Sequence, residues 1–185
     1  MVAVRDILAC NATYTAGATV FLQELTAAAA SADARLPLRN FACGGAPVPR
    51  SVMQASEAQG IPASRVYGMT ELPTVTVMNS AEDFEHRAGT DGRIAAGVEV
   101  RVVAEDLDVP CGGEGELVVR GPERMLGYLR ASDNASALDG AGWFRTGDIG
   151  AVDADGYVRI TGRLKDVINR GGEKFSAREI EDLLL

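Results

Sequence analysis

The spacing of apolar residues changes character near Val75, and that change restricts the chain to a mixed architecture. Before it, helix-like and strand-like runs alternate. Residues 20–34 are rich in alanine and carry Phe21, Leu22 and Leu25 at helical spacing, whereas residues 36–43 read as a short buried strand. Gly44-Gly45-Ala46-Pro47 then breaks the chain. Pro49 suits a first helical position, residues 50–59 contain good helix formers, and Gly60 with Pro62 supplies a stop. The alanine run 27–30 reads as helix surface. After Val75 the runs are short and β-like: TVTVM, VEVRVVA, ELVVRG, WFRTGDIGAV and YVRITGR, separated by Asp91-Gly92, Gly112-Gly113 and Asp155-Gly156. That spacing predicts antiparallel hairpins closing into a small barrel or sandwich. The expected fold class is therefore α/β followed by antiparallel β.

At 185 residues and 46% hydrophobic, the chain is long enough for the core of one ordinary domain or two small ones. No apolar stretch approaches the roughly 20 residues that a membrane helix needs, and MVAVRDILAC lacks the layout of a signal peptide. A cytoplasmic protein without a transmembrane segment is expected. Three widely spaced cysteines, Cys10, Cys43 and Cys111, support neither a disulfide framework nor a zinc site, and read as reduced core or loop thiols. The formal net charge of -8 argues against nucleic acid as a partner, since phosphate backbones are held by broad basic surfaces. Within this acidic chain the cations Arg163, Lys165, Arg170 and Lys174 nevertheless gather in a dozen residues. A small anion such as a phosphate fits that local cluster.

Several short motifs could carry such chemistry. Tyr67-Gly68-Met69-Thr70-Glu71 follows a β-like run and sets a hydroxyl beside a carboxylate, a pairing that suits Mg-ATP and equally suits a helix start. Gly44-Gly45-Ala46-Pro47 follows a predicted strand, where an open α/β sheet places ligands, and also reads as a plain tight turn. Asp148 in Thr146-Gly147-Asp148 could accept two ribose hydroxyls or merely form a turn. Arg163 has the donor fork for a phosphate or ribose, Lys165 is either functional or an exposed lysine, and Gly171-Gly172 lets a narrow ligand approach the backbone. His86 lies in a polar, loop-like stretch and reads as solvated or locally hydrogen-bonded, while the acidic stretch EDLD, Glu105 to Asp108, reads as a solvated hairpin. Ser176 and Glu179 form a capping box that opens a helix striped with Ile180, Leu183 and Leu184.

Residues 143–174, WFRTGDIGAVDADGYVRITGRLKDVINRGGEK, taken with YGMTE, resemble the signature of the adenylate-forming superfamily, the acyl- and aryl-CoA synthetases and their relatives. In that superfamily ATP activates a carboxylate that is then passed to a thiol. The resemblance implies the end of the second α/β subdomain over residues 1–80, a small distorted β-barrel over 81–164, and a hinge with the start of a truncated C-terminal domain over 165–185. It implies ATP or AMP contacts from Gly44, Gly45, Ala46, Pro47, Tyr67, Gly68 and Met69, with Tyr67 stacking on adenine and 44–47 bordering the acyl pocket. Thr70 would contact phosphate, Glu71 magnesium, Asp148 ribose, and Arg163 ribose or phosphate. Lys165 would be the hinge between the two half-reactions, Gly171 and Gly172 would face the thiol tunnel, and Lys174 would contact phosphate. ATP, Mg2+ and CoA are the implied cofactors and co-substrates, with a carboxylic acid as substrate and a carrier-protein pantetheine as the alternative acceptor. A non-catalytic nucleotide-binding or interaction module is a further alternative. The superfamily's upstream phosphate loop and its C-terminal lysine have no counterpart in the 185 residues, so the isolated chain is expected to be inactive.

Overall fold

A computed structural model describes residues 2–170 and 173–176, with side chains through residue 166. The chain divides into two compact units, Met1–Gly68 with Val77–Gly92, and Met69–Thr76 with Arg93–Leu185.

The first unit contains α1 (Val2–Cys10), β1 (Tyr14–Gly17), α2 (Thr19–Ser31), β2 (Asn40–Cys43), α3 (Arg50–Ala58), β3 (Ala63–Arg65) and α4 (Phe84–Gly89). The three strands form a parallel sheet in the order β1-β2-β3. Parallel neighbours need long crossovers, and α2 and α3 supply them. All four residues of the central strand β2 are buried. Leu22, Leu25, Ala29, Phe41, Met53 and Ile61 belong to one apolar core. Ala29 is completely buried, because it lies on the helix face that Leu22 and Leu25 define, so the alanine run is only partly surface. Phe21, one residue off that face, is exposed.

Local chemistry accounts for the shifts from the expected boundaries. Helix α2 stops at Ser31, short of residue 34, because Asp33 takes φ 47° and the Ala34 N–H reaches back to the Ala29 carbonyl at 2.9 Å. Strand β2 begins at Asn40 because Pro37 has no N–H to give to a ladder; Leu36 and Leu38 are buried without being strand residues. Pro49 is the N-cap of α3, and Arg50 is its first helical residue.

Helices α1 and α4 and strand β1 escape the periodicity reading. Helix α4 is tied down by two buried arginines. Arg87 donates to both carboxylate oxygens of Glu57 at 3.0 and 2.9 Å and to the Ala63 carbonyl at 2.7 Å. Arg65 donates through Nε to Asp91 at 2.9 Å and to the Ala88 carbonyl at 2.9 Å. His86 lies on α4 rather than in a loop, and its Nδ1 is 2.9 Å from Asp83 Oδ2.

The second unit is built on a five-stranded antiparallel sheet. With the two-residue strands β4 (Thr76–Val77) and β5 (Arg93–Ile94) numbered first, it contains β6 (Glu99–Ala104), β7 (Leu107–Asp108), β8 (Gly115–Arg120), β9 (Phe144–Val152) and β10 (Val158–Arg163), in the order β10-β9-β8-β6-β7. A short helix α5 (Ala131–Ala137) precedes β9. Antiparallel pairing is as expected, but the sheet is open: among the described residues nothing pairs β10 with β7. The edge strand β7 is two residues long, too short a ladder for closure, and it follows a tight turn in which Glu105 and Asp106 both have positive φ. A last hairpin-like pair, β11 (Val167–Arg170) and β12 (Glu173–Ser176), is antiparallel. Gly171, Gly172 and the expected helix after Ser176 lie outside the described residues.

Candidate functional site

Gly44 to Pro47 follow β2, and Tyr67 and Gly68 follow β3 with Val66 between. Both segments thus leave the same edge of a parallel sheet, its carboxyl end, which is where α/β sheets expose backbone to ligands. The two are in close contact. A Cβ on Gly44 would stand 2.6 Å from the Val66 carbonyl oxygen, so only glycine fits. The Val66 N–H donates to the Cys43 carbonyl at 3.0 Å, and the Thr19 hydroxyl donates to the Pro47 carbonyl at 3.0 Å. Burial pushes the Cys43 thiol pKa up, against smaller opposing effects of Thr19 and Arg65.

Met69, Thr70 and Glu71 belong to the second unit. Met69 and Leu72 exchange backbone hydrogen bonds, each 3.1 Å, so Thr70 and Glu71 form the tip of a tight turn anchored by the fully buried Leu72. Thr70 is exposed and Glu71 half-buried. Glu71 Oε1 accepts the Tyr128 hydroxyl at 2.6 Å. That hydrogen bond, with burial adding to it, pushes the Tyr128 pKa up to about 12. Among the described residues no group of three or more His, Cys, Asp or Glu side chains could cage a metal ion. A single carboxylate such as Glu71 matches what Mg2+ takes from a protein when nucleotide phosphates and water supply its other ligands.

Asp148 and Arg163 face one another across β9 and β10, and Arg163 Nε donates to Asp148 Oδ1 at 2.7 Å. The Asp148 side chain is 6% exposed, the Arg163 side chain 51%. The turn of backbone before Asp148 is fixed from β8: buried Glu116 accepts the Gly147 N–H at 3.2 Å, and Thr146 Oγ1 donates to the Leu117 carbonyl at 2.8 Å while accepting the Asp148 N–H at 3.0 Å. Arg145 fills the other side of Glu116 at 2.7 Å. Trp143 lies under the guanidinium groups of Arg120 and Arg101, whose carbons are 4.7 and 5.2 Å from its ring centre. Lys165 is exposed in the 3-10 turn Leu164–Asp166 that leaves β10. Lys174 stands opposite Asn169 in the β11–β12 register.

The predicted residues thus assemble as three groups: 44–47 with 67–68 in the first unit, and Thr70-Glu71 and Asp148–Arg163 in the second. Tyr128 and Asn134, which brace Glu71, were not read from the sequence; the only signal was a tyrosine inside the glycine- and proline-containing segment GPERMLGYLR.

The family model described as AMP-binding enzyme matches residues 1–129. The chain belongs to the AMP-binding enzyme family. The chain is 42% identical over 172 residues to the medium-chain fatty-acid–CoA ligase of Escherichia coli K12, an alignment covering 91% of this chain and 30% of that protein. It is 37% identical over 148 residues to the indoleacetate–CoA ligase of Aromatoleum aromaticum, covering 80% of this chain and 29% of the relative. Among solved structures, the Bacillus subtilis O-succinylbenzoate coenzyme A synthetase in complex with ATP and magnesium matches with a TM-score of 0.83 at 26% identity, over 98% of this chain and 39% of that one. The amide bond synthetase McbA of Marinactinospora thermotolerans matches with a TM-score of 0.87 at 30% identity, over 99% of this chain and 38% of that one. The chain therefore spans about a third of the length of the relatives it matches.

Proposed function

We propose that this chain is the central part of an ATP-dependent acyl- or aryl-CoA synthetase, which joins a carboxylic acid to CoA with formation of AMP. The carboxylate attacks the α-phosphorus of ATP and releases pyrophosphate; the CoA thiol then attacks the acyl carbonyl and releases AMP. The names of the relatives support the acid–thiol class, and the fold supports the nucleotide half. The observation that carries the reading is the Asp148–Arg163 pair, a buried carboxylate held by a half-exposed arginine at the end of a strand, in a chain whose family binds AMP.

In this reading the partition is 1–80, 81–164 and 165–185. Gly44 to Pro47 and Tyr67 to Met69 border the adenine and the acyl group, with Tyr67 stacking on the base. Asp148 receives the ribose hydroxyls, a role that suits a carboxylate already oriented by Arg163. Thr70 donates its hydroxyl to phosphate, and Arg163 and Lys174 add positive charge for the same anion. Glu71 holds Mg2+, which when bound with ATP neutralises negative charge on the phosphates. Lys165, on the exposed turn after β10, is the hinge between adenylation and thioester formation, and Gly171-Gly172 faces the thiol.

The test uses the full-length enzyme and a panel of medium-chain and aryl carboxylic acids. Acid-dependent ATP–pyrophosphate exchange followed by thioester formation with CoA is expected. Absence of exchange with every acid overturns the enzyme reading. Thioester formation on a carrier-protein pantetheine, with none on CoA, replaces the acceptor.

A further inference from the structure

Leu126 and Leu129 are fully exposed, yet Tyr128 between them is half-buried and held on three sides. Asn134, on α5, accepts the Tyr128 N–H at Oδ1 at 2.6 Å and donates through Nδ2 to the Tyr128 carbonyl at 2.9 Å. One amide side chain thus closes on both backbone groups of a single residue. Gly127 makes the closure possible: its φ is 153°, and a Cβ there would stand 3.0 Å from Asn134 Oδ1. The clamped Tyr128 sends its hydroxyl to Glu71 Oε1 at 2.6 Å, and the Met125 N–H donates to the Glu71 carbonyl at 2.7 Å. The two segments are therefore joined twice, by a side-chain bond between residues 57 positions apart and by the backbone bond from Met125.

The chemistry of the donor matters. A glutamate has three rotatable bonds, and a carboxylate that must meet a cation binds it better when its orientation is set beforehand. Lysine or arginine could orient Glu71 as well, but would cancel part of the charge that draws the cation. A phenol orients without cancelling. Its O–H reaches Glu71 Oε1 at 2.6 Å and brings no charge of its own. Glu71 Oε2 accepts no hydrogen bond among the described residues, so the contact engages one oxygen and leaves the other for a ligand.

We propose that Tyr128 is a positioning residue for Glu71, orienting its carboxylate toward a divalent cation bound with the nucleotide, and that Asn134 acts through Tyr128. The inference rests on the reading of Glu71 as the magnesium-binding residue.

The test measures binding, not turnover. In the full-length enzyme, Mn2+ replaces Mg2+ and α,β-methylene ATP replaces ATP, and bound Mn2+–nucleotide is followed by electron paramagnetic resonance. Tyr128→Phe is expected to weaken binding about tenfold, the scale of effect for residues that orient metal ligands, and Asn134→Ala to weaken it about threefold. Glu71→Gln should weaken it at least as much as Tyr128→Phe, and adding Tyr128→Phe to Glu71→Gln should change nothing further, because the effect passes through that carboxylate. Binding of the analogue without metal should be the same for Tyr128→Phe and wild type. If Glu71→Gln binds the Mn2+ complex like wild type, the magnesium reading of Glu71 falls and this inference with it. If Glu71→Gln is weakened while Tyr128→Phe matches wild type, only the positioning role falls. Equal losses with and without metal for Tyr128→Phe, or a further loss in the double variant, also overturn it, since either would mark a purely structural tyrosine.

Discussion

Asp148 is a carboxylate whose surroundings were only half visible in advance. Its place in a Thr-Gly-Asp turn is a local feature, legible from three adjacent letters; its partner Arg163 lies 15 residues on and is brought opposite by the β9–β10 register. In the full-length enzyme Asp148→Ala should weaken the use of ATP by about 2–4 kcal/mol, roughly 30- to 1,000-fold in kcat/KM, as loss of two charge-assisted hydrogen bonds implies. The Arg163 side chain is half exposed and stays solvated without Asp148, so the thermal transition should survive. Unchanged kinetics would remove Asp148 from the site, and a lost transition would make it structural. The cysteines give a second residue-scale expectation. Cys10 and Cys111 are exposed, whereas Cys43 is buried and its thiol pKa is raised by that burial, so it holds less thiolate at any pH below that value. Iodoacetamide at pH 8 should alkylate Cys10 and Cys111 of the folded chain first and Cys43 only after denaturation. Peptide mass mapping reads the order, and early labelling of Cys43 would contradict its burial.

At the scale of elements, β8 and the turn after β10 carry opposite duties. Strand β8 is paired on both sides, with β6 and β9, and Leu117 at its centre is completely buried. Leu117→Ala should cost about 2–5 kcal/mol of stability through lost burial and the cavity left behind, measured by urea denaturation. A cost under about 1 kcal/mol would mean that the sheet collapses around the gap. The turn Leu164–Asp166, by contrast, is exposed throughout. A hinge needs residues free to change φ and ψ, and proline holds φ near about -65° while narrowing the choices of the residue before it. In the full-length enzyme Lys165→Pro should leave acyl-adenylate formation within about tenfold of wild type and slow thioester formation at least about a hundredfold, a gap of at least about 1.4 kcal/mol between the half-reactions. Single-turnover assays resolve the two steps. Equal losses would indicate general damage, and no loss in either would return Lys165 to an ordinary surface lysine.

Across the whole molecule, the chain aligns with 30% of the length of the Escherichia coli ligase, and the resemblance implies that the proposed reaction also draws on a phosphate loop and a C-terminal lysine without counterpart in the 185 residues. The 185-residue chain on its own should show no carboxylate-dependent ATP–pyrophosphate exchange. Exchange by purified chain, free of host synthetase, would overturn that account of the groups required. The chain's sequence by itself determined the switch from alternating helix and strand to antiparallel β, the breaks at Gly44 to Pro47 and Gly60, and the motifs at Tyr67 to Glu71 and at Asp148. These depend on periodicity and on neighbours a few residues apart, where turn chemistry and propensity act directly. Tertiary structure alone decided that the sheet stays open, that Ala29 is core, and that helix α4 is tied down by Arg65 to Asp91 and Arg87 to Glu57, 26 and 30 residues apart. It also decided that Tyr128 meets Glu71 across 57 residues. An arginine or a tyrosine looks the same in a one-dimensional pattern whether its partner is water or a buried carboxylate; only the packing that removes water selects the partner.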